Sequence, residues 1–173
     1  MPWQFWTSPR SSPNNSPSNM QCRRWIFFVV MLWMLSGVAA CQAQPAVTIL
    51  TGAGRQVVFQ VEVADTPAKR TMGLQYRKEL GSDRGMIFLF PAESPQSFWM
   101  KNTPIPLDMI FIDRGKRIVG IVEQTTPFSL DSRSVAAPSQ FVLEINGGLG
   151  KRHGIQTGDS VRFENIPTQS VAE

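Results

Sequence analysis

The chain has 173 residues, and its 17 lysine and arginine residues outnumber its 13 aspartate and glutamate residues by four. Three of the basic residues and none of the acidic ones lie in the first 40 positions, so the rest of the chain is nearly neutral. A nearly neutral chain without a basic run lacks the electrostatic pattern of nucleic-acid binding, and we expect no nucleic-acid partner. One histidine, with two cysteines that both fall within the first 41 residues, leaves too few ligands for a typical zinc site, so we expect neither a metal nor a cofactor.

Residues 20–40 have the pattern of a secretory signal peptide. Two arginines precede an uncharged, largely apolar run over residues 25–40, which is shorter than the ~20 residues that a membrane-spanning helix needs. Residues 38–41 (Val-Ala-Ala-Cys) resemble the bacterial lipobox, in which a peptidase cuts before a cysteine that carries a diacylglycerol. We therefore expect an exported protein at the periplasmic face of the cell envelope, with the membrane as its partner through a lipid on Cys41. The alternative is an ordinary signal peptide followed by a chance cysteine.

The sequence divides into a leader, a tether, one domain and a tail. Residues 1–19 are rich in serine, proline and asparagine, which favour disorder, and we expect translation to begin at Met20. The segments that follow the leader (1–40) are a lipidated tether (41–46), a single β-rich domain (47–166) and a tail (167–173). A domain of this size can bury its own hydrophobic core.

The domain begins with a predicted hairpin and a short helix. Residues 47–50 and 56–64 flank a glycine-containing turn, and the second segment alternates apolar and polar residues, as a half-buried strand does. Asp65 or Thr66 can cap a helix that has Pro67 in its first turn. Three residues at intervals of four should pack this helix on the sheet: Ala68, Met72 and Tyr76. Gly73 indicates close packing or an early helix end.

Further strands follow along the domain. They are predicted over residues 86–90, 97–102, 107–113, 117–123, 140–145 and 160–164. Residues 113–116 form a predicted turn, residues 124–138 a long polar loop, and residues 147–154 a short helix ending at Gly154. About eight short strands with one or two short helices predict a mainly β fold, either a compact sandwich or a partly closed barrel.

The segment 98–113 is the most distinctive part of the sequence. Pro104 and Pro106 lack an N–H donor, so residues 103–106 should connect two strands rather than pair within them. A symmetric hairpin around that connection sorts the side chains onto two faces. The predicted core face has Phe98, Met100, Met109 and Phe111. The predicted mixed face has Trp99, Lys101, Asp108 and Ile110.

The mixed face is a candidate binding site, because an aromatic side chain beside charged groups is typical of small-molecule pockets. The candidate ligand-binding residues are Arg70, Trp99, Lys101, Asn102, Asp108 and Glu144. The alternative is that Lys101 and Asp108 form a surface ion pair worth less than ~1 kcal/mol and that Arg70 is a solvated residue. His153, beside Gly154, is expected to be a cation at a helix C-terminus.

Motifs across the domain resemble those of one known family. They are Arg-Thr-Met-Gly-Leu (70–74) with Arg77, Gly-Met-Ile-Phe (85–88), Phe-Trp-Met-Lys-Asn-Thr (98–103), Pro-Leu-Asp-Met-Ile-Phe-Ile-Asp (106–113), Val-Leu-Glu (142–144), Gly-Ile (154–155) and Gly-Asp (158–159). Over residues 58–163 the chain resembles the bacterial and archaeal proteins of domain of unknown function 192. The resemblance implies a small, mostly β, jelly-roll-like fold, often exported, with no established activity. One departure is that Leu74 is followed by Gln75 and Tyr76, where the family often has methionine and then an arginine.

Three functions remain open on the sequence. The favoured one is an envelope lipoprotein that binds a small polar or anionic ligand on the mixed face. The second is a metal-independent enzyme with Asp108 or Glu144 as acid or base, so whether the chain is an enzyme stays undecided. The third is a protein-interaction module with an exposed apolar patch around Trp99 and Ile110.

Overall fold

The computed structural model describes residues 43–168, and within them the fold is mainly β, as predicted. The predicted leader, the predicted lipidation site at Cys41 and residues 169–173 of the predicted tail lie outside the described residues. The strands are β1 (Ala46–Leu50), β2 (Gln56–Ala64), β3 (Arg84–Ser94), β4 (Leu107–Ile112), β5 (Ile118–Val122), β6 (Ser139–Asn146) and β7 (Ser160–Glu164). The two short helices within residues 43–168 are α1 (Pro67–Met72) and α2 (Leu149–His153).

The strands form one seven-stranded sheet in the order β5-β4-β6-β3-β2-β1-β7. Neighbouring strands are antiparallel except β2 and β3, which are joined through α1. The sheet curls into a half-barrel, and its two edges approach each other where Val161 N donates to Lys116 O at 2.8 Å. The fold therefore corresponds to the predicted partly closed barrel, with seven strands rather than about eight.

Side chains on the two faces of the sheet build two hydrophobic clusters. The first lies on one face and includes Val47, Ile49, Phe59, Ile87, Leu89, Ile110, Leu143 and Ile145. The second lies on the other face and includes Leu74, Met86, Phe88, Met100, Met109, Phe111 and Val142. The second cluster draws residues from outside the sheet, because Leu74 and Met100 follow α1 and precede β4 respectively.

Helix α1 begins as predicted but packs differently. The Thr66 hydroxyl accepts a hydrogen bond from Lys69 N at 3.3 Å, and Pro67 occupies the first turn. The helix ends after six residues at Gly73, where an added Cβ would lie 3.3 Å from the Phe88 ring. The predicted packing stripe is wrong, because Met72 and Tyr76 are exposed. The 3.6-residue period stops at Met72, and Leu74 becomes the buried residue instead.

The predicted hairpin between residues 98–102 and β4 is wrong. Both edges of β4 are already paired, one with β5 and the other with β6, so no ladder position remains for residues 97–102. These residues run instead beside the loop that follows β5: Phe98 N donates to Arg133 O at 2.9 Å, and Met100 N donates to Ser129 O at 2.8 Å.

The two predicted faces fare differently. The four residues of the predicted core face do contribute to the second cluster. The predicted mixed face does not exist as one surface, because Trp99 is 52% exposed whereas Asp108 and Ile110 are fully buried. An apolar patch shared by Trp99 and Ile110 is therefore absent from the described part of the chain.

The predicted turn at residues 113–116 and the predicted helix end at Gly154 agree with the structure. Asp113 closes the turn before β5 by accepting hydrogen bonds from Lys116 N and Arg117 N. Helix α2 ends at Gly154, whose φ of +71° is the left-handed conformation that glycine adopts without strain.

Candidate functional site

A cleft of about 520 Å³ lies between α1, the segment 97–103 and the sheet face of the second cluster. Its apolar lining includes Leu74, Phe88, Phe90, Phe98, Trp99 and Leu130. Its uncharged polar lining includes Thr71, Gln75, Ser97, Thr103 and Ser132. Among residues 43–168, the charged or ionisable residues of the lining are Arg70, Lys101 and Glu144. The structure thus brings four of the six predicted site residues, Arg70, Trp99, Lys101 and Glu144, to one cavity.

Glu144 is the buried ionisable group of this cleft. It lies in β6 opposite Met86 of β3 and Met109 of β4, and it is only 4% exposed. Burial raises the pKa of its carboxyl from 4.5 to about 8, because the charged form would lose its hydration. Among residues 43–168, no group forms a hydrogen bond with this carboxyl. At neutral pH the side chain is therefore a carboxylic acid with an O–H donor available to the cleft.

Two cationic side chains line the same cleft. The Arg70 guanidinium is held in place, since its Nη1 donates to Asp65 O at 3.1 Å and to Leu89 O at 3.0 Å. The same guanidinium lies 5.4 Å from the centre of the Phe90 ring. Lys101 is exposed, and its Nζ lies 5.4 Å from the Trp99 ring. Arg70 is therefore a positioned cation, and Lys101 is an exposed cation at the edge of the same cleft.

The rings that form the aromatic wall of the cleft pack edge to face. Phe98 contacts Phe88 at a centroid distance of 5.1 Å and Phe90 at 6.2 Å, with interplanar angles of 85° and 89°. Its ring also contacts Phe111 of β4 at 6.0 Å. This packing holds the segment 97–103 over the sheet, although the segment does not pair with any strand of the sheet.

Asn102 lies behind the wall rather than in the cleft. Its Nδ2 donates to Gln75 Oε1 at 3.0 Å and to Tyr76 Oη at 2.7 Å, and its backbone oxygen accepts from Tyr76 N at 2.7 Å. These bonds tie the segment after α1 to the segment 97–103. Asn102 therefore holds two walls of the cleft together.

Asp108 also lies outside the cleft. Its carboxylate is fully buried and accepts hydrogen bonds from Gln124 N at 2.8 Å, Gly148 N at 2.9 Å and Gly150 N at 2.8 Å. The geometry gives Asp108 a structural contact with the loop after β5 and the start of α2. It does not place the carboxylate near Trp99 or Lys101.

The part of the cleft lining that comes from the loop 124–138 was not predicted from the sequence. Leu130 and Ser132 of this loop line the cleft, although the loop was predicted only as a polar connection. Phe128 and Leu130 are large apolar residues in a mostly polar stretch, and both are exposed. Exposed apolar residues in a polar loop were the sequence signal that could have indicated a contact with the cleft.

Residues 43–168 contain neither a metal-ligand cluster nor a helix that could span a membrane. No group of three or more His, Cys, Asp or Glu side chains lies close enough to hold a metal ion there. No helix in the same residues is long and apolar enough to cross a membrane.

The fold and the cleft define a small, mainly β domain built around one curled sheet, with an amphipathic cavity on one face of that sheet. The chain belongs to the DUF192 family, described as Uncharacterized ACR, whose family model matches residues 48–163. No curated protein shows significant similarity to the chain.

Two solved structures are similar to this chain. One is the crystal structure of a protein from Sinorhizobium meliloti proposed to be a transcription regulator, 39% identical, with a TM-score of 0.68 over 70% of this chain and 94% of that one. The other is a protein of unknown function from Novosphingobium aromaticivorans, also 39% identical, with a TM-score of 0.66 over 73% of this chain and 98% of that one.

Proposed function

We propose that this protein is an exported envelope lipoprotein whose domain binds a small organic anion with an apolar body in the cleft lined by Trp99, Lys101 and Glu144. The observation that carries the proposal is the composition of that cleft. It combines two cationic side chains, an aromatic wall and a buried carboxyl that has no partner among the described residues.

The charges of the lining favour an anion. Arg70 and Lys101 are cationic, while Glu144, the acidic residue of the lining, is neutral at pH 7 because burial raises its pKa to about 8. The lining residues that the structure describes therefore carry net positive charge near neutral pH. An anion that enters the cleft gains Coulomb energy in surroundings of lower dielectric constant than water.

The size and walls of the cleft fit a small molecule with an apolar body. Its volume of about 520 Å³ is within the range of roughly 300–1,000 Å³ that is typical of small-molecule sites. Phe88 and Phe98 form part of an ordered aromatic wall, and Trp99 adds an exposed ring beside Lys101. A ligand with an aromatic or aliphatic body would bury itself against these rings.

Calorimetric titration and thermal shift of the full-length protein test the binding proposal. The probes are benzoate, phenylacetate and octanoate, each compared with its uncharged amide. A carboxylate at a hundred times its Kd should add ~2.7 kcal/mol to stability, whereas its amide should add much less. Lys101→Ala should weaken carboxylate binding, and the matched control Lys151→Ala, an exposed lysine outside the cleft, should not. Equal binding of acids and amides would refute anion recognition, and no binding of either would refute the ligand class.

The envelope anchor is tested separately. Support for it comes from the uncharged run over residues 25–40 and the Val-Ala-Ala-Cys sequence that follows. Cys41→Ser should move the protein from the membrane fraction to the soluble fraction, while the control Cys22→Ser should leave it in the membrane fraction. Membrane association that survives Cys41→Ser would contradict the lipid anchor.

One observation favours a second function. A buried carboxyl with a pKa raised to about 8 is also suited to act as a general acid, so Glu144 could protonate a bound substrate. Asp108 is a poorer choice for this chemistry because three backbone N–H groups occupy its carboxylate. An enzyme of this kind would convert a bound probe, and mass spectrometry of the probe after incubation detects that conversion.

A further inference from the structure

The surroundings of Glu144 are unusual for a buried acid. Across the sheet, its row runs from Glu62 of β2 through Met86 of β3 and Glu144 to Met109 of β4. The two nearest neighbours in the row are methionines, whose thioethers are weak acceptors and have no proton to donate. No described residue pairs with the Glu144 carboxyl, so its hydrogen-bond partner has to come from the cleft that it lines.

Other charged groups on this face do not supply that partner. Helix α1 presents Arg70 to the cleft, and the segment 97–103 presents Lys101. Glu62, in the same row, is exposed and paired with Arg77 through two contacts of 2.6 Å. Burial alone accounts for the raised pKa of Glu144, with no contribution from any of these charges. The pKa of the Glu144 carboxyl is therefore set by its burial and not by an ion pair.

We propose that Glu144 determines specificity in the cleft by donating its carboxylic O–H to an uncharged oxygen of a ligand whose anionic group lies near Lys101. The ligand class is an organic anion with a second, neutral acceptor oxygen, such as a keto acid or an acyl-substituted aromatic acid. This inference rests on the proposed function and narrows the class of ligand. It also implies that ligand binding is linked to the protonation of one side chain.

The chemistry of the donor makes the linkage specific. The protonated acid donates a hydrogen bond to the ligand oxygen. The same bond gives the Glu144 carboxyl a partner. The carboxylate has no proton to donate and repels the anion. With a pKa of about 8 for this group, affinity should be lower by about tenfold at pH 9 than at pH 6.

Calorimetric titration of the full-length protein with matched probes tests this proposal. The probes are 3- and 4-acetylbenzoate, compared with 3- and 4-isopropylbenzoate, which have the same number of heavy atoms but no carbonyl oxygen. The wild type should prefer the acetyl compounds and bind them about tenfold more weakly at pH 9 than at pH 6. Glu144→Gln should bind them equally at both pH values, because the amide donates a hydrogen bond at either. Glu144→Leu should lose the preference for the acetyl compounds.

The control is Glu62→Gln, which removes an exposed carboxylate from the same row and should keep the wild-type pH dependence. Wild-type binding without pH dependence, or a Glu144→Gln variant that keeps it, would overturn this inference while leaving anion binding intact. Failure of every benzoate to bind at either pH would overturn the proposed function and this inference with it.

Infrared spectroscopy gives a test that needs no ligand. The wild type at pH 6.5 should show the carbonyl band of a protonated carboxylic acid, and Glu144→Gln should lack that band. Absence of the band from the wild type would also refute the proposal, because Glu144 would then have no proton to donate.

Discussion

Replacement of Asp108 by alanine removes the acceptor of three backbone hydrogen bonds in the interior of the protein. The donors are the N–H groups of Gln124, Gly148 and Gly150, at 2.8–2.9 Å from the carboxylate. A buried donor left without a partner costs about 1–3 kcal/mol, and the first two of these bonds are only partly buried. We therefore expect Asp108→Ala to lower the free energy of unfolding by about 3–5 kcal/mol.

For a domain of this size that loss corresponds to a fall in Tm of roughly 10–20 °C. Urea unfolding should show a lower midpoint with an unchanged m value. Asp83→Ala is a suitable control, because Asp83 is exposed and should change stability by less than about 0.5 kcal/mol. A loss below about 1 kcal/mol for Asp108→Ala would refute the structural role. If Asp108→Ala abolished binding of the carboxylate probes without changing stability, Asp108 would instead be a ligand-binding residue.

Two further substitutions test the packing on which the cleft depends. Gly85→Ala should cost about 1–3 kcal/mol in urea unfolding, because the added Cβ would lie 2.6 Å from the backbone oxygen of Glu144. Gly52→Ala is its control, since a Cβ there meets its nearest neighbour at 3.7 Å, and equal losses at both sites would contradict the close approach. Met109→Ala should cost about 2–5 kcal/mol, because its side chain is fully buried in the second cluster. A near-neutral result would mean that Met109 does not face this cluster.

Local patterns in the sequence predict most of the strands because alternation is a property of a single segment. The turn residues between β1 and β2 and between β4 and β5 then fix which of those neighbours pair. The pairing of β4 with β6 is different, since residues 113–138 separate them and no local signal selects the partner. The hairpin prediction failed at this point. Residues 98–102 alternate like a strand, but β6 takes the edge of β4 that they would need.

The same failure explains which site residues the sequence could predict. Alternation placed Trp99 and Lys101 together correctly, because they share the outward side of one segment. It placed Asp108 with them only through the assumed pairing with β4. Residues 97–103 lie across the sheet face instead of within the sheet, so their outward side is unrelated to that of β4. The loop residue Leu130 reaches the cleft only through tertiary contacts with residues 98–100.

Two buried acids on adjacent strands, Asp108 and Glu144, have opposite surroundings. Three N–H groups satisfy Asp108, whereas Glu144 has no hydrogen-bond partner in the described part of the chain and holds its proton until about pH 8. Their amide variants should therefore respond differently. Asp108→Asn puts an NH₂ group where backbone donors point and should destabilise the protein, whereas Glu144→Gln removes a group that resists ionisation.

The pH dependence of stability shows in which direction Glu144→Gln changes the free energy of unfolding. Below pH 4.5 the Glu144 carboxyl is protonated in both the folded and the unfolded state. Between pH 4.5 and about 8 only the folded state keeps the proton, so the wild type loses about 1.4 kcal/mol of stability per pH unit, up to roughly 5 kcal/mol. Urea unfolding at pH 5, 7 and 9 should therefore show Glu144→Gln gaining stability relative to the wild type as the pH rises. Other titrating groups cancel in this difference, and Glu62→Gln should follow the wild type. Parallel curves for Glu144→Gln and the wild type would mean that Glu144 ionises at its ordinary pKa, and the cleft would then lack the neutral donor that both proposals use.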